Sequence, residues 1–289
     1  MLFFGLSAVL ILLLVYSAIE PLLLRVRPVE IVSSDLPPTF DGLTIAFLTD
    51  IHHGPFFSRE RVRHLVLRTN ALAPDLILLG GDYVHRSSRY TVPVFKELAG
   101  LTAPLGVFGV LGNHDHWEDA DLSRQAMAQA GIHALDNSAL WLERGDDVRQ
   151  RGGGGEAKRG DDENRGHERI RLGGVADLLT DDPQWAPALD GTTAGDFVLV
   201  VAHNPDLAET LRDDHVDLML SGHTHGGQVT AFGLWAPLIP SRYGQKYRTG
   251  LVSAPHTNVL VSNGIGTITP PLRFFAAPEI VLVTLRAGQ

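Results

Sequence analysis

Five times along this chain a short apolar run stops at a polar, glycine-bearing turn. The runs are Leu43–Thr49, Asp75–Leu79, Gly106–Leu111, Asp196–Ala202 and Val216–Leu220. Short apolar runs rich in Val, Ile and Leu and bounded by turns read as strands buried on both faces. Helical spacing follows the first run: Ser58 opens a segment with Val62, Leu65, Val66, Thr69 and Leu72 on one face, and Pro74 closes it. Further helices are expected around Val92–Leu98, from about Asp119 to Ala130, and after Asp206. Shorter strand patterns occupy His133–Leu142, Ile170–Leu172, Val259–Ser262 and Ile280–Thr284. Strand, turn and helix in alternation predict βαβ units and an α/β domain.

The turns carry the chemistry. They read Asp50-Ile51-His52-His53-Gly54-Pro55, Gly80-Gly81-Asp82, Gly112-Asn113-His114-Asp115, His203-Asn204-Pro205-Asp206 and Ser221-Gly222-His223-Thr224-His225-Gly226-Gly227-Gln228. A lone Asp or Asn at a strand end is usually a cap or turn residue, and His-x-His by itself is a weak metal signal. Five such turns at the C-terminal ends of buried strands are harder to attribute to capping, because open α/β sheets keep their sites there. At the strand ends themselves Asp50, Asp82, Asn113, His52, His114, His203, His223 and His225 offer two carboxylates, one amide oxygen and five imidazoles, with no sulfur. That set suits a pair of borderline divalent cations, manganese, iron or zinc, and suits calcium poorly.

Composition narrows the partners. Lys+Arg 24 against Asp+Glu 33 gives a net charge of -9, which argues against a nucleic-acid duplex. With no cysteine there is neither a disulfide framework nor a thiolate site. Leu2 to Ile19 contains no charged residue and nearly matches a hydrocarbon core of ~30 Å. A cleaved signal peptide would carry a basic segment first, and no Lys or Arg precedes Arg25. Residues 1–24 are therefore expected to anchor the chain in the inner (plasma) membrane as a single pass. Arg25 and Arg27 on the C-terminal flank favour a cytoplasmic catalytic domain. Residues 25–42, with Pro28, Pro37 and Pro38, are expected as a tether, and 43–289 as the domain. Within it, 144–169 is Gly-rich and charged without apolar periodicity, and is expected to be a disordered insertion. Its glycine run lacks the Lys-Ser/Thr of a phosphate loop.

In this order, Asp50-x-His52, Gly81-Asp82, Gly112-Asn113-His114-Asp115, His203 and Gly222-His223-x-His225 resemble the five signature blocks of the calcineurin-like metallophosphoesterases. The resemblance implies two packed mixed β-sheets flanked by helices, a four-layer sandwich with a dinuclear metal centre at its edge. It implies that Asp50, His52 and His225 hold one metal, that Asn113, His203 and His223 hold the other, and that Asp82 bridges them. It further implies hydrolysis of a phosphodiester or pyrophosphate by a water or hydroxide between the cations. His114 is implied as the catalytic imidazole, oriented by Asp115. A non-catalytic scaffold on this fold would have lost ligands, and none is missing.

The chain also resembles bacterial membrane-associated phosphoesterases, including those that cleave UDP-2,3-diacylglucosamine to lipid X and UMP in lipid A synthesis. Asp50–Pro55, Gly222–Gln228, Asn263–Gly266, Arg273 and Pro278–Ile280 carry that likeness. Other phosphodiesters, such as a cyclic nucleotide, a phosphoprotein or a cell-wall diester, are the alternative substrates. The apolar stretch Phe232–Pro240 reads equally as an acyl-chain or membrane-contacting flap and as core. Arg242, Lys246, Arg248 and Arg273 are candidates to grip a diphosphate or stack on a base, with solvated surface charge as the alternative, and His53 reads equally as reaching substrate or capping its turn. His85, His116 and His256 lie near the blocks but match none of them.

Overall fold

The computed structural model describes residues 2–144, 150–152 and 169–288. In chain order its strands are β1 (Arg25–Ser33), β2 (Thr44–Leu48), β3 (Leu76–Leu79), β4 (Val107–Gly109), β5 (His133–Ala134), β6 (Ser138–Glu143) and β7 (Gln150–Gly152), followed by β8 (Arg169–Val175), β9 (Val198–Ala202), β10 (Leu218–Ser221), β11 (Gly250–Ser253), β12 (Asn258–Val261) and β13 (Glu279–Ala287). They form two mixed sheets, ordered β1-β13-β2-β3-β4-β5 and β11-β12-β10-β9-β8-β6-β7. In the first, β2, β3, β4 and β5 are parallel; in the second, β8, β9, β10 and β12 are parallel.

Every second side chain points to the space between the sheets. Ile45, Phe47, Leu76, Leu78 and Phe108 from one sheet meet Leu172, Leu199, Val201, Leu218 and Leu220 from the other. The alternate residues Ala46, Leu48, Ile77 and Leu79 pack outward against helices α2 (Arg59–Asn70), α3 (Thr91–Leu98) and α4 (Asn113–Gln129). Burial on both faces is why these strands are apolar throughout rather than alternating. The two sheets flanked by helices agree with the architecture implied by the resemblance. The outer face of the second sheet differs in its cover. Pro205–Glu209 is a 3₁₀ turn, where a helix was expected, and it lays Leu207 and Ala208 on Val200 and Met219. Ser58 caps α2 as its sequence predicts, its hydroxyl accepting from the Arg61 N–H.

Two expectations need correction. Residues 25–33 are not a tether: they form the edge strand β1, paired in parallel with β13 along its whole length. Pro28 fits there because an edge strand leaves one side of its ladder free. Phe40, still within the expected tether, is fully buried between the sheets. Nor is the membrane anchor over 1–24 supported, since among the described residues no helix is long and apolar enough to cross a membrane. Helix α1 (Leu2–Ile19) ends docked on the domain. The Ser17 carbonyl accepts from the Arg273 backbone N–H at 3.0 Å, and Tyr16 packs on Phe274 and Phe275. Arg27, expected to bias topology, is paired with Glu279 at 2.9 Å. Of the segment expected to be disordered, 145–149 and 153–168 lie outside the described residues, while Gln150–Gly152 pair with β6.

Candidate metal centre

The turns after β2, β3, β4, β9 and β10 meet at one edge of the two sheets. A hydrogen bond from the His223 N–H to the Asp50 carboxylate, at 3.1 Å, ties the second sheet to the first. His203 reinforces the junction, its Nδ1 lying 2.7 Å from the Gly80 carbonyl. Because a carbonyl only accepts, Nδ1 carries a proton there, and Nε2 faces the cluster.

Asp82 stands at the middle. Its Oδ2 lies 3.4 Å from His52 Nε2 and 3.3 Å from His203 Nε2, and its Oδ1 accepts from the His114 N–H at 2.8 Å. On one side, Asp50, His52 and His225 present ligand atoms that could hold one ion; on the other, Asp82, His203 and His223 do the same. His52 Nε2 and His225 Nε2 approach to 3.0 Å, and His223 Nδ1 and His203 Nε2 to 3.2 Å. Nitrogens aimed at one another in pairs can share at most one proton per contact as neutral rings, whereas lone pairs converging on a cation are an ordinary ligand set.

Asn113 supplies the test of fit. Its Oδ1 is buried and has no hydrogen-bond partner among the described residues, although buried amide oxygens are nearly always satisfied. An oxygen acceptor left open one residue before His114, whose N–H holds Asp82, fits a divalent cation.

Burial sets the protonation. It drives His52 and His225 well below the ordinary imidazole range and, with His203 adding, brings His223 down to about 3. These three rings are neutral and ready to bind metal. Burial acts the same way on His203, but the Asp82 carboxylate overrides it and holds that ring well above its ordinary value. Burial raises Asp50 to about 6 against the pull of His203.

The backbone is bent to serve this convergence. Asp50, His52, Asp82, His223 and His225 all have φ between 49° and 68°, a left-handed conformation costly for residues with a Cβ and concentrated at functional sites. Glycine makes room for both carboxylates. A Cβ on Gly112 would lie 2.3 Å from Asp82 Oδ1, and one on Gly222 would lie 2.2 Å from Asp50 Oδ2.

His114 sits at the start of α4, half-buried, with its ring against His52 at 4.8 Å and Trp117 at 4.8 Å. Asp115 does not orient that ring. Its buried carboxylate accepts from the N–H groups of Asp82, Tyr83 and Gly112 at 2.8–2.9 Å, locking two of the turns together. A helix was expected from Asp119, but α4 begins at Asn113 and is broken by extended backbone at Asp119.

The expected substrate grips divide. Arg273 is fully buried, with its guanidinium donating to the carbonyls of Gly266, Ala276 and Asn263. It cannot also reach a substrate. Arg248 donates to the Gly233 carbonyl at 2.7 Å, Lys246 pairs with Glu209, and His53 Nδ1 contacts the Phe57 carbonyl. The side chain of Arg242 is exposed. The stretch Phe232–Pro240 is mostly not core: Leu234 is 84% exposed and Leu238 76%, while Ala236 is buried. Phe232 joins Phe274, Phe275 and Tyr16 in an aromatic cluster under the end of α1. His85, which no motif marked, lies beside His52 and His114 and completes a third group of three ligand atoms. Its only sequence signal is a position three residues after Asp82.

Comparison with known proteins agrees with this geometry. The calcineurin-like phosphoesterase family matches residues 43–227. The chain is 29% identical over 275 residues to a Bacillus subtilis protein named uncharacterized metallophosphoesterase YkuE, covering 93% of this chain and 88% of that one. It is 30% identical over 245 residues to phosphodiesterase YaeI of Escherichia coli, covering 83% and 81%. A Danio rerio protein named transmembrane protein with metallophosphoesterase domain is 28% identical over 272 residues, 91% of this chain but 57% of that one. The chain belongs to the calcineurin-like phosphoesterase family and is a metal-dependent phosphoester hydrolase.

Proposed function

We propose that the chain is a dinuclear-metal phosphodiesterase or pyrophosphatase acting on a substrate presented at a lipid surface. The observation that carries the first half is Asp82, whose Oδ2 stands 3.4 and 3.3 Å from an imidazole of each group. A carboxylate so placed can serve two cations at once. The proposal assigns Asp50, His52 and His225 to one ion, Asn113, His203 and His223 to the other, and Asp82 to both. Two divalent cations there, manganese first among candidates, would supply Lewis acidity and positive charge toward the phosphoryl oxygens.

The protein's own part is orientation. His203 is held by the Gly80 carbonyl, Asp50 by Thr49 and the His223 N–H, and Asp82 by the His114 N–H. None of these side chains needs to reorganise when substrate arrives. His114, half-buried at the rim, is placed to donate a proton or hydrogen bond to a departing oxygen.

A lipidic substrate is supported by the apolar surface beside the centre. Phe232, Leu234, Trp235 and Leu238 are exposed, and Ile11, Leu12, Leu14 and Val15 of α1 continue the same character. Exposed apolar clusters of this kind mark interaction surfaces, and the uncharged run Leu2–Ile19 favours membrane association at the inner membrane. UDP-2,3-diacylglucosamine is the first candidate. The test is to strip the metal, add manganese back, and compare that lipid with bis(4-nitrophenyl) phosphate in detergent. A far higher kcat/KM with release of UMP supports the lipid assignment. Turnover of the aryl diester alone removes the lipid and leaves the phosphodiesterase.

A further inference from the structure

His85 is the one buried imidazole at this edge whose two ring nitrogens both lack a hydrogen-bond partner among the described residues. It is 5% exposed. Buried ring nitrogens are rarely left this way unless a group outside the chain takes them. The ring cannot easily turn away. The His85 N–H donates to the His53 carbonyl at 3.0 Å, His53 donates to the Tyr83 carbonyl at 2.8 Å, and these bonds zip the turn after β2 to the turn after β3. Gly54 closes over the zip, since a Cβ there would lie 2.8 Å from the His85 carbonyl.

Its neighbours define what it can bind. The ring stands edge-on to His52 with centroids 5.4 Å apart, and tilted against His114 at 5.2 Å. Phe56 backs it at 6.2 Å. One nitrogen from each of His52, His85 and His114 lies within 4.8 Å of the others. A third cation is poorly served there. His52 Nε2 already faces His225 and Asp82, and the group includes no carboxylate. Without His52, two imidazoles are left, fewer than the three or four protein ligands that hold zinc. The ring has an N–H to donate in either of its forms, one as imidazole and two as imidazolium. Such a donor beside an electrophilic centre suits a phosphoryl oxygen.

We propose that His85 is a substrate-contacting residue of the phosphoester site, donating its ring N–H to a phosphoryl or leaving-group oxygen alongside His114. It keeps its proton and forms no covalent bond. The inference rests on the phosphoester-hydrolase reading of the centre and adds to it a side chain that holds the ester beside the metal ligands.

The test uses the full chain, reconstituted with manganese, as wild type, His85→Ala and His85→Asn. Steady-state kinetics with bis(4-nitrophenyl) phosphate, inhibition by inorganic phosphate, calorimetric phosphate binding and metal content are measured together. Losing one hydrogen bond to a charged oxygen corresponds to about tenfold or more. His85→Ala should therefore lower kcat/KM by roughly 10–100-fold and weaken phosphate about tenfold, while retaining the wild-type metal content. His85→Asn restores a donor and should recover part of both. Loss of a metal equivalent on either substitution would overturn the proposal in favour of a metal-ligand role. Kinetics and phosphate binding within twofold of wild type would overturn it in favour of packing. A wild-type protein that loads metal yet hydrolyses no phosphoester would instead defeat the reading beneath it, and phosphate binding by the three proteins would still judge His85. If His85→Ala fails to fold, the Asn variant carries the same comparison.

Discussion

Replacing Arg273 by Met separates two roles the sequence could not. The guanidinium lies under the metal turn, fully buried, and donates to Gly266 at 2.6 and 3.2 Å, to Ala276 at 2.6 Å and to Asn263 at 2.9 Å. Met fills part of the volume but offers no donor. Three buried carbonyls would lose their partner at ~1–3 kcal/mol each, less whatever water restores, in line with roughly 3–5 kcal/mol for breaking a buried charged network. We expect about 3–5 kcal/mol of destabilisation, and at ~2–4 °C per kcal/mol a fall in Tm of about 6–20 °C. Urea melts with the metal removed read it without the contribution of bound ions. Arg273→Lys should recover only part, because a single ammonium cannot span three carbonyls. A variant that melts within about 2 °C of wild type but shows a tenfold rise in KM would refute the structural role and return Arg273 to the substrate.

Three further outcomes follow from the same geometry. Gly112→Ala places a Cβ against Asp82 and Gly222→Ala one against Asp50; each should weaken manganese binding by about 10–100-fold, measured by competition with a fluorescent chelator, and unchanged affinity would mean the carboxylates are not seated as described. Because Asp82 keeps His203 protonated in the metal-free chain, loading metal near neutral pH should release a proton, and affinity should climb with pH until His203 deprotonates in the free protein. Calorimetry in two buffers of different ionisation enthalpy detects it, and identical heats would speak against the proton. Leu234→Asp with Leu238→Asp should weaken binding to phospholipid vesicles, leaving what α1 contributes, while turnover of a soluble aryl diester stays within twofold; unchanged vesicle binding would move the lipid contact elsewhere.

The strands and most of the centre could be read from the chain because their signals are local. Apolar runs such as Leu76–Leu79 are apolar at every position because both faces are covered, and the ligands stand at the next turn. What escaped was set by distant partners. β1 looked like a tether because Pro28 interrupts it, and only the far C-terminal strand β13 gives it a pairing edge. Asp115 reads as a partner for the adjacent His114, yet its hydrogen bonds reach back to Asp82 and Tyr83. Arg273 reads as a free cation until the loops bearing Asn263, Gly266 and Ala276 fold around it. His85 has no motif; its meaning comes from His52 and His114, which the fold brings to it.

The most direct measurement of the central claim is anomalous diffraction from crystals loaded with manganese. The dinuclear reading predicts two peaks ~3.5–4 Å apart, one among Asp50, His52 and His225, the other among Asn113, His203 and His223, with Asp82 reaching both. A single peak, or two that Asp82 does not join, would contradict it.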